Sequence, residues 1–332
     1  MKELELPPRA SALSQSMRDL GYSLETAIAD IIDNSIAAGA SAVDIWCDPS
    51  DNDPSLAIVD DGSGMDEETL IEAMRYGSRD PGQARKSTDL GRFGLGMKTA
   101  SFSQCRELTV VSRRGNQQTA AQWDLDRLAQ DAWKIGLLDD GEVKKLSWLD
   151  ELPETGTMVL WKKLDRMSEQ KTGAAGAALL TEKLALLENH LSLVFHRFLP
   201  ASKSASGKLV IHINGHPVTG FDPFCRSNPA TTALPPQHVR IRGHRIPIQA
   251  YVLPHHSMLS RSEYDFYRSR SDFISNQGAY IYRNDRLMAW GDWFRMIPKG
   301  EATKLARVEI DFPAELDEEW TIDIKKSRAH PP

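Results

Sequence analysis

LETAIADIIDNSIAA at residues 24–38 and IVDDGSGMD at residues 58–66 decide the reading of this chain. In the first stretch Leu24, Ile28, Ile31, Ile32 and Ser35 share one side at about 100° per residue, which predicts an amphipathic helix ended by Gly39. Asp30 and Asn34 are four apart and fall together on the opposite side, flanked by the small Ala27 and Ala37. A carboxylate can polarise water and an amide oxygen can hold a hard cation. The spacing alone equally fits a solvated polar face. In the second stretch an apolar run predicts a strand that stops at Asp60, followed by Asp61-Gly62-Ser63-Gly64-Met65. Glycines permit close backbone approach, and a carboxylate at the mouth of such a turn can accept from an exocyclic amine. A plain tight turn has the same composition.

A third stretch, GRFGLGMKTAS (91–101), brings Gly91, Gly94 and Gly96 to Lys98 at a predicted short helix from Gly94 to Phe102, an arrangement suited to phosphate. It is not a P-loop, because Met97 separates the last glycine from the lysine. It is not a dinucleotide fingerprint, because Thr99 stands where the third glycine belongs. Gly156-Thr157 opens a further strand, TMVLWKKL, where a hydroxyl could meet a base edge.

Around these segments the pattern predicts strands at 41–47, 55–60, 107–113, 118–124 and 156–163, and helices at 66–75 and 175–198. Residues 76–93 (YGSRDPGQARKSTDLGRF) are polar and read as a long loop. ASKSASGK (201–208) reads as a junction. Strands are expected beyond it near 208–213, 238–253, 278–284 and 305–312, with a helix near 260–270. The length of 332 residues suggests two domains, 1–200 and 201–332. The first carries 22 Lys+Arg against 32 Asp+Glu and the second 18 against 14, and this difference in charge supports the division. A surplus that small does not by itself argue for nucleic acid. No apolar run suits a membrane span and the N-terminus has no signal core. The three cysteines lie far apart and form neither a disulfide framework nor a metal knuckle, so a cytoplasmic protein is expected. The chain stops abruptly at IKKSRAHPP, which reads as a piece of a longer protein.

Taken together and in this order, DIIDNSIAAGA (30–40), VDDGSGM (59–65) and GRFGLGMK (91–98) resemble the three boxes of the GHKL superfamily, the Bergerat-fold ATPases of the Hsp90, gyrase B, MutL and MORC type. VIHINGHPVTGFDPF (210–224), YVLPH (251–255), QGAYIYRNDRLMAWGDW (277–293) and TIDIKKS (321–327) are similar to the second domain of MORC-like prokaryotic members. The resemblance implies an α+β chain: an ATP-binding domain with helices on one face of a mixed sheet and a lid at 76–97, then a transducer domain of the ribosomal-protein-S5-like type. It further implies ATP and Mg2+ as ligands. Asn34 would hold Mg2+, and Asp60 would accept from the adenine amine with help from Thr157. Gly62, Gly64 and Met65 would line the nucleotide. Gly91, Gly94, Leu95, Gly96, Met97 and Lys98 would wrap the phosphates. Lys325 or Lys326 would reach the γ-phosphate, and Lys326 is preferred.

Asp30 departs from the family, which commonly has Glu there as the base for the attacking water. The implied activity is therefore slow ATP hydrolysis that drives lid closure and ATP-dependent homodimerisation of a clamp. A non-hydrolysing ATP sensor and an Hsp90-like chaperone are the competing readings. DNA is admitted as a partner by analogy and by Arg240, Arg242, Arg245, Arg268, Arg270, Arg283, Arg286 and Arg295, which solvated strand faces would explain as well. No membrane partner is expected. His255-His256 lacks companions at metal-ligand spacing and reads as a loop. Trp290, Trp293 and Cys105 read as packing residues.

Overall fold

The computed structural model describes residues 9–19, 21–49, 53–77, 96–128, 133–169, 171–200, 207–270, 275–317 and 319–320. Expectations for Gly91, Gly94, Leu95, Lys325, Lys326 and most of the 76–97 lid lie outside them. The described residues fall into two compact units. One holds those up to 188 together with 209–218, and the other holds those of 189–208 and from 219 onward.

The first unit is built in chain order from α1 (Ala10–Arg18), α2 (Leu24–Ala37), β1 (Ala42–Cys47), β2 (Leu56–Asp60), α3 (Glu67–Met74) and α4 (Gly96–Phe102). There follow β3 (Glu107–Arg114), β4 (Gln117–Asp124), α5 (Leu125–Leu128), β5 (Gly136–Leu137), α6 (Asp140–Val143), β6 (Gly156–Lys162) and the first part of α7 (Gly173–Val194). β7 (Val210–Ile213) and β8 (His216–Pro217) complete its sheet, in the order β5-β4-β3-β6-β2-β1-β7-β8. The β1–β7 pair is parallel and every other pair antiparallel, so the sheet is mixed. Strand β7 was expected in the second domain. It is instead the parallel neighbour of β1, because its Ile211 and Ile213 continue the buried row of Val43 and Ile45.

All five residues of β2 and the first six of β6 are buried, so the middle of this sheet is covered on both faces. Helices α1, α2 and α4 pack on one face, where the Trp161 indole of β6 donates to Ser101 of α4 at 2.8 Å. On the other face Val143 of α6, Leu152 and the half-buried Trp148 and Leu149 close over Ala57, Val59, Val111, Met158 and Leu160. That second layer has no helical period for the sequence to announce. It consists of a four-residue helix and a short turn followed by the buried Leu152.

The second unit contains β9 (Thr232–Ala233), β10 (Gln237–Ile241), β11 (His244–Val252), α8 (Arg261–Arg270), β12 (Gly278–Arg283), β13 (Arg286–Asp292) and β14 (Ala306–Phe312). Its sheet runs β10-β11-β14-β12-β13, with β9 beside β11 and with β12 and β14 parallel. Ile246, Ile281, Met288, Phe312 and Trp320 form one core cluster, and Phe224, Tyr280, Tyr282 and Leu287 another. Arg197 lies over the Tyr282 ring at 3.5 Å and donates to Glu309 and Asp311 at 2.6 and 2.5 Å. The stretch 238–253, expected as one strand, is two. Arg242 and Gly243 both take left-handed backbone, the requirement of a two-residue hairpin turn. His255-His256 is an exposed turn, while Cys105 and Trp293 are buried.

Gly156 has a φ of +154°, and a Cβ there would lie 2.0 Å from the Asp60 carbonyl oxygen. Gly156→Ala is therefore expected to cost about 3 kcal/mol or more of stability in urea denaturation. Gly115→Ala, at a φ of +61° with nothing within 4 Å, should cost only about 1 kcal/mol. Equal losses would contradict the close approach of β2 and β6.

Candidate functional site

Helix α2 starts on Ser23, whose side chain accepts the Thr26 amide at 3.3 Å. Its buried Ile28, Ile31 and Ile32 anchor it to the core. Asp30 and Asn34 are one turn apart, with Asp30 buried and Asn34 exposed. Ala27 was expected beside them on an open face but is fully buried. The Asp30 Oδ2 accepts the Tyr22 hydroxyl at 3.0 Å. A Cβ on Gly96 would come within 3.7 Å of the same oxygen, so the start of α4 lies against this carboxylate.

Asp60 ends β2. Its Oδ1 accepts the Gly62 amide at 3.0 Å and the Thr157 amide at 3.2 Å, and its Oδ2 accepts the Ser35 hydroxyl at 2.8 Å. Burial raises its pKa, against the lowering effect of these three donors. A carboxylate offers four acceptor positions, so one remains on Oδ2. The neighbouring Asp61 is used differently. Its Oδ1 accepts the Ser41 and Ala42 amides at 2.7 and 2.8 Å, which fastens the loop to the start of β1. Gly64 has a φ of +63°, and a Cβ would meet the Arg113 carbonyl at 2.0 Å, so the loop 61–65 lies directly on β3. The Met65 amide donates to Ser112 Oγ at 2.8 Å.

Strand register places these groups in one row. Asp60 faces Thr157 across β2–β6, and Thr157 faces Ser112 across β6–β3. Residues opposite each other in antiparallel strands project to the same face, so a 97-residue separation in sequence becomes a single cross-strand step. Two members of this constellation have roles that the sequence did not disclose. Ser35 falls on the apolar side of α2 as expected, yet its hydroxyl is what α2 contributes to Asp60. Ser112 lies in the strand ELTVVSRR as a fully buried hydroxyl. The available signal for Ser35 was a hydroxyl on an otherwise aliphatic face. For Ser112 only the strand register supplies one.

Lys98, on α4, is 2 % exposed and donates from Nζ to the Ala73 carbonyl in the last turn of α3 at 2.7 Å. Burial lowers its pKa to about 8, with Glu72 acting in the opposite sense. Met97 and Met65 are half-buried. A buried ammonium with one partner has N–H groups left for an anion, and Asp60 has a position left for an amine. These are the acceptor and donor types that an exocyclic amine and a phosphate require. Among the described residues no group of three His, Cys, Asp or Glu side chains could hold a metal ion. The exposed Asn34 amide could supply one ligand to a cation that arrives with a triphosphate. Among the described residues no helix is long and apolar enough to cross a membrane.

Residues 22–154 match the family described as histidine kinase-, DNA gyrase B-, and HSP90-like ATPase. Protein MICRORCHIDIA 6 of Arabidopsis thaliana is 34% identical over 101 residues, covering 29% of this chain and 15% of that protein. ATPase morc-1 of Caenorhabditis elegans is 34% identical over 95 residues, covering 29% of this chain and 11% of that protein. ATPase MORC2B of Mus musculus is 28% identical over 93 residues, covering 27% and 9%. The matched part thus spans well under a quarter of each of these relatives.

The burial of Lys98 has a pH signature. Below pH 8 its ammonium is charged in both states and destabilises the fold by roughly 3 kcal/mol. Between pH 8 and 10.5 the unfolded chain binds more protons, so stability rises with pH and the penalty disappears. Measured by urea denaturation, wild type should gain stability relative to Lys98→Met across that window. A constant difference would contradict the buried placement.

Proposed function

We propose that this chain, a member through its residues 22–154 of the histidine kinase-, DNA gyrase B-, and HSP90-like ATPases and a relative of the MORC proteins, binds Mg·ATP and hydrolyses it slowly to ADP and phosphate. The observation that carries this is the Asp60 carboxylate, fixed by Ser35, Gly62 and Thr157 with one acceptor position to spare. In this reading the adenine amine donates to Asp60. Gly62 and Gly64 let backbone lie close to the nucleotide, and Asn34 supplies its amide oxygen to the magnesium. The magnesium neutralises triphosphate charge and orients it. Lys98 exchanges the Ala73 carbonyl for a phosphate oxygen, together with the glycines of 91–96.

Asp30 is the general base of this scheme. The Tyr22 hydroxyl fixes its orientation, and α2 fixes its position one turn before Asn34. Aspartate reaches about 1.5 Å less far than the glutamate usual in the family. A misplacement of about 1 Å can cost about 100-fold, which is the reason for expecting slow turnover. The same shortening favours a second reading, a sensor that binds ATP without useful hydrolysis. Lid closure at 76–97, Lys325 or Lys326 at the γ-phosphate, an S5-like transducer role for the second unit and ATP-dependent homodimerisation complete the proposal.

We further read duplex DNA as a partner. Of the eight arginines considered, Arg283 and Arg286 are 5 % and 2 % exposed, with Arg283 paired to Asp317, and neither offers a surface charge. Arg240 and Arg245 oppose each other across β10–β11 and are exposed, Arg245 also meeting His238, while Arg242 at the turn is paired with Glu319. Like charges directly opposite on a strand pair are unfavourable until an anion joins them.

Two measurements test these readings. In titration calorimetry wild type should bind Mg·ATP and Asp60→Ala should lose binding by at least about 100-fold. Unchanged binding would exclude the base site. In duplex DNA retention at increasing salt, Arg240→Ala with Arg245→Ala should weaken binding and flatten the salt slope by roughly two. An unchanged slope would remove DNA from this ribbon.

A further inference from the structure

Ser112 is fully buried on β3, and its hydroxyl has three polar neighbours: the Met65 amide at 2.8 Å, the Gly156 carbonyl at 3.1 Å and the Thr157 hydroxyl at 3.0 Å. A serine hydroxyl has one proton and two acceptor lone pairs. The Met65 N–H can only donate to it, and the Gly156 carbonyl can only accept from it. Its proton therefore goes to Gly156, and the third contact is satisfied only if Thr157 is the donor. The reverse arrangement leaves a buried carbonyl 3.1 Å from a hydroxyl that no longer serves it, an unfavourable state in a dry site.

The consequence lies one strand away. With its proton turned to Ser112, Thr157 presents only lone pairs to anything placed beside it. Asp60, in the same row, presents its remaining carboxylate position, its Ser35 partner being turned inward as the donor. We propose that Ser112 is a specificity-determining positioning residue, which holds the Thr157 hydroxyl as an acceptor so that the site selects a 6-amino purine and rejects a 6-oxo purine. This rests on the proposed placement of the base at Asp60. A 6-amino group brings two N–H donors to two acceptors. A 6-oxo group brings a third acceptor and meets no proton. Removing Ser112 frees the Thr157 hydroxyl to turn and donate to the oxygen.

The test is binding of Mg·ATP and Mg·ITP, inosine being the 6-oxo counterpart, by calorimetry. Ser112→Ala should reduce the ratio of the two affinities by about tenfold, mainly through tighter ITP binding. Ser112→Thr, which keeps a hydroxyl, should hold the wild-type ratio. Ser112→Ala combined with Thr157→Val, which removes the freed donor, should bring the ratio back toward wild type. If Ser112→Ala melts below the assay temperature, Ser112→Cys should move the ratio in the same direction by less. A purely structural serine would weaken both nucleotides equally and leave the ratio unchanged, and that result overturns the proposal. Loss of ATP binding in wild type, or its persistence in Asp60→Ala, would overturn the base-site reading and the role of Ser112 with it. Intact, Asp60-dependent ATP binding with an unchanged ratio overturns the role of Ser112 alone.

Discussion

The Asp60 carboxylate is where three separate parts of the first unit meet. It takes a hydroxyl from α2, an amide from its own loop and an amide from β6. Each bond to a charged acceptor contributes about 1.5–3 kcal/mol, enough to keep a largely buried carboxylate in place. The arrangement exists only because β6 enters the sheet between β2 and β3, which makes Thr157 the direct neighbour of Asp60. Gly156 is the condition for that entry, since any side chain there would collide with the Asp60 backbone. The neighbouring carboxylate, Asp61, accepts two amides and the Ser41 hydroxyl at the start of β1, which fastens the loop there, and it is Asp60 that faces Thr157 across the sheet.

A second constraint comes from the helices. Packing α1, α2 and α4 on one face brings Asp30, Tyr22 and the start of α4 together, because α2 packs against α4. The aliphatic residues of α2 hold the helix down, and Asp30 and Ser35 turn its buried surface into polar chemistry. Lys98 marks the same boundary from α4. It bonds the end of α3 at a position where its charge is costly.

Much of this was readable in the sequence, for physical reasons. The 3.6-residue period of α2, the strand that ends at Asp60 and the glycines after it are local signals, and the elements formed where they were expected. The likeness of residues 22–154 to the histidine kinase-, DNA gyrase B-, and HSP90-like ATPases was legible because three short motifs occur in order. What stayed hidden depends on pairing between distant strands. Ser112 enters the site through register, and β7 joins the first sheet through a parallel pair that composition assigned to the other side of a junction. Ser35 was visible but was assigned to packing, since helical period alone cannot tell a buried hydroxyl with a partner from one without. Arg283 and Arg286 counted as surface charge until burial excluded them.

The proposed hydrolytic site depends on Asp30 as the group that activates water. The most direct measurement is phosphate release from Mg·ATP by wild type and by Asp30→Ala, with nucleotide binding followed in both. Slow release by wild type that vanishes in the variant while binding persists is the predicted result. Equal release by the two proteins, or tight binding with no release by wild type, would contradict it.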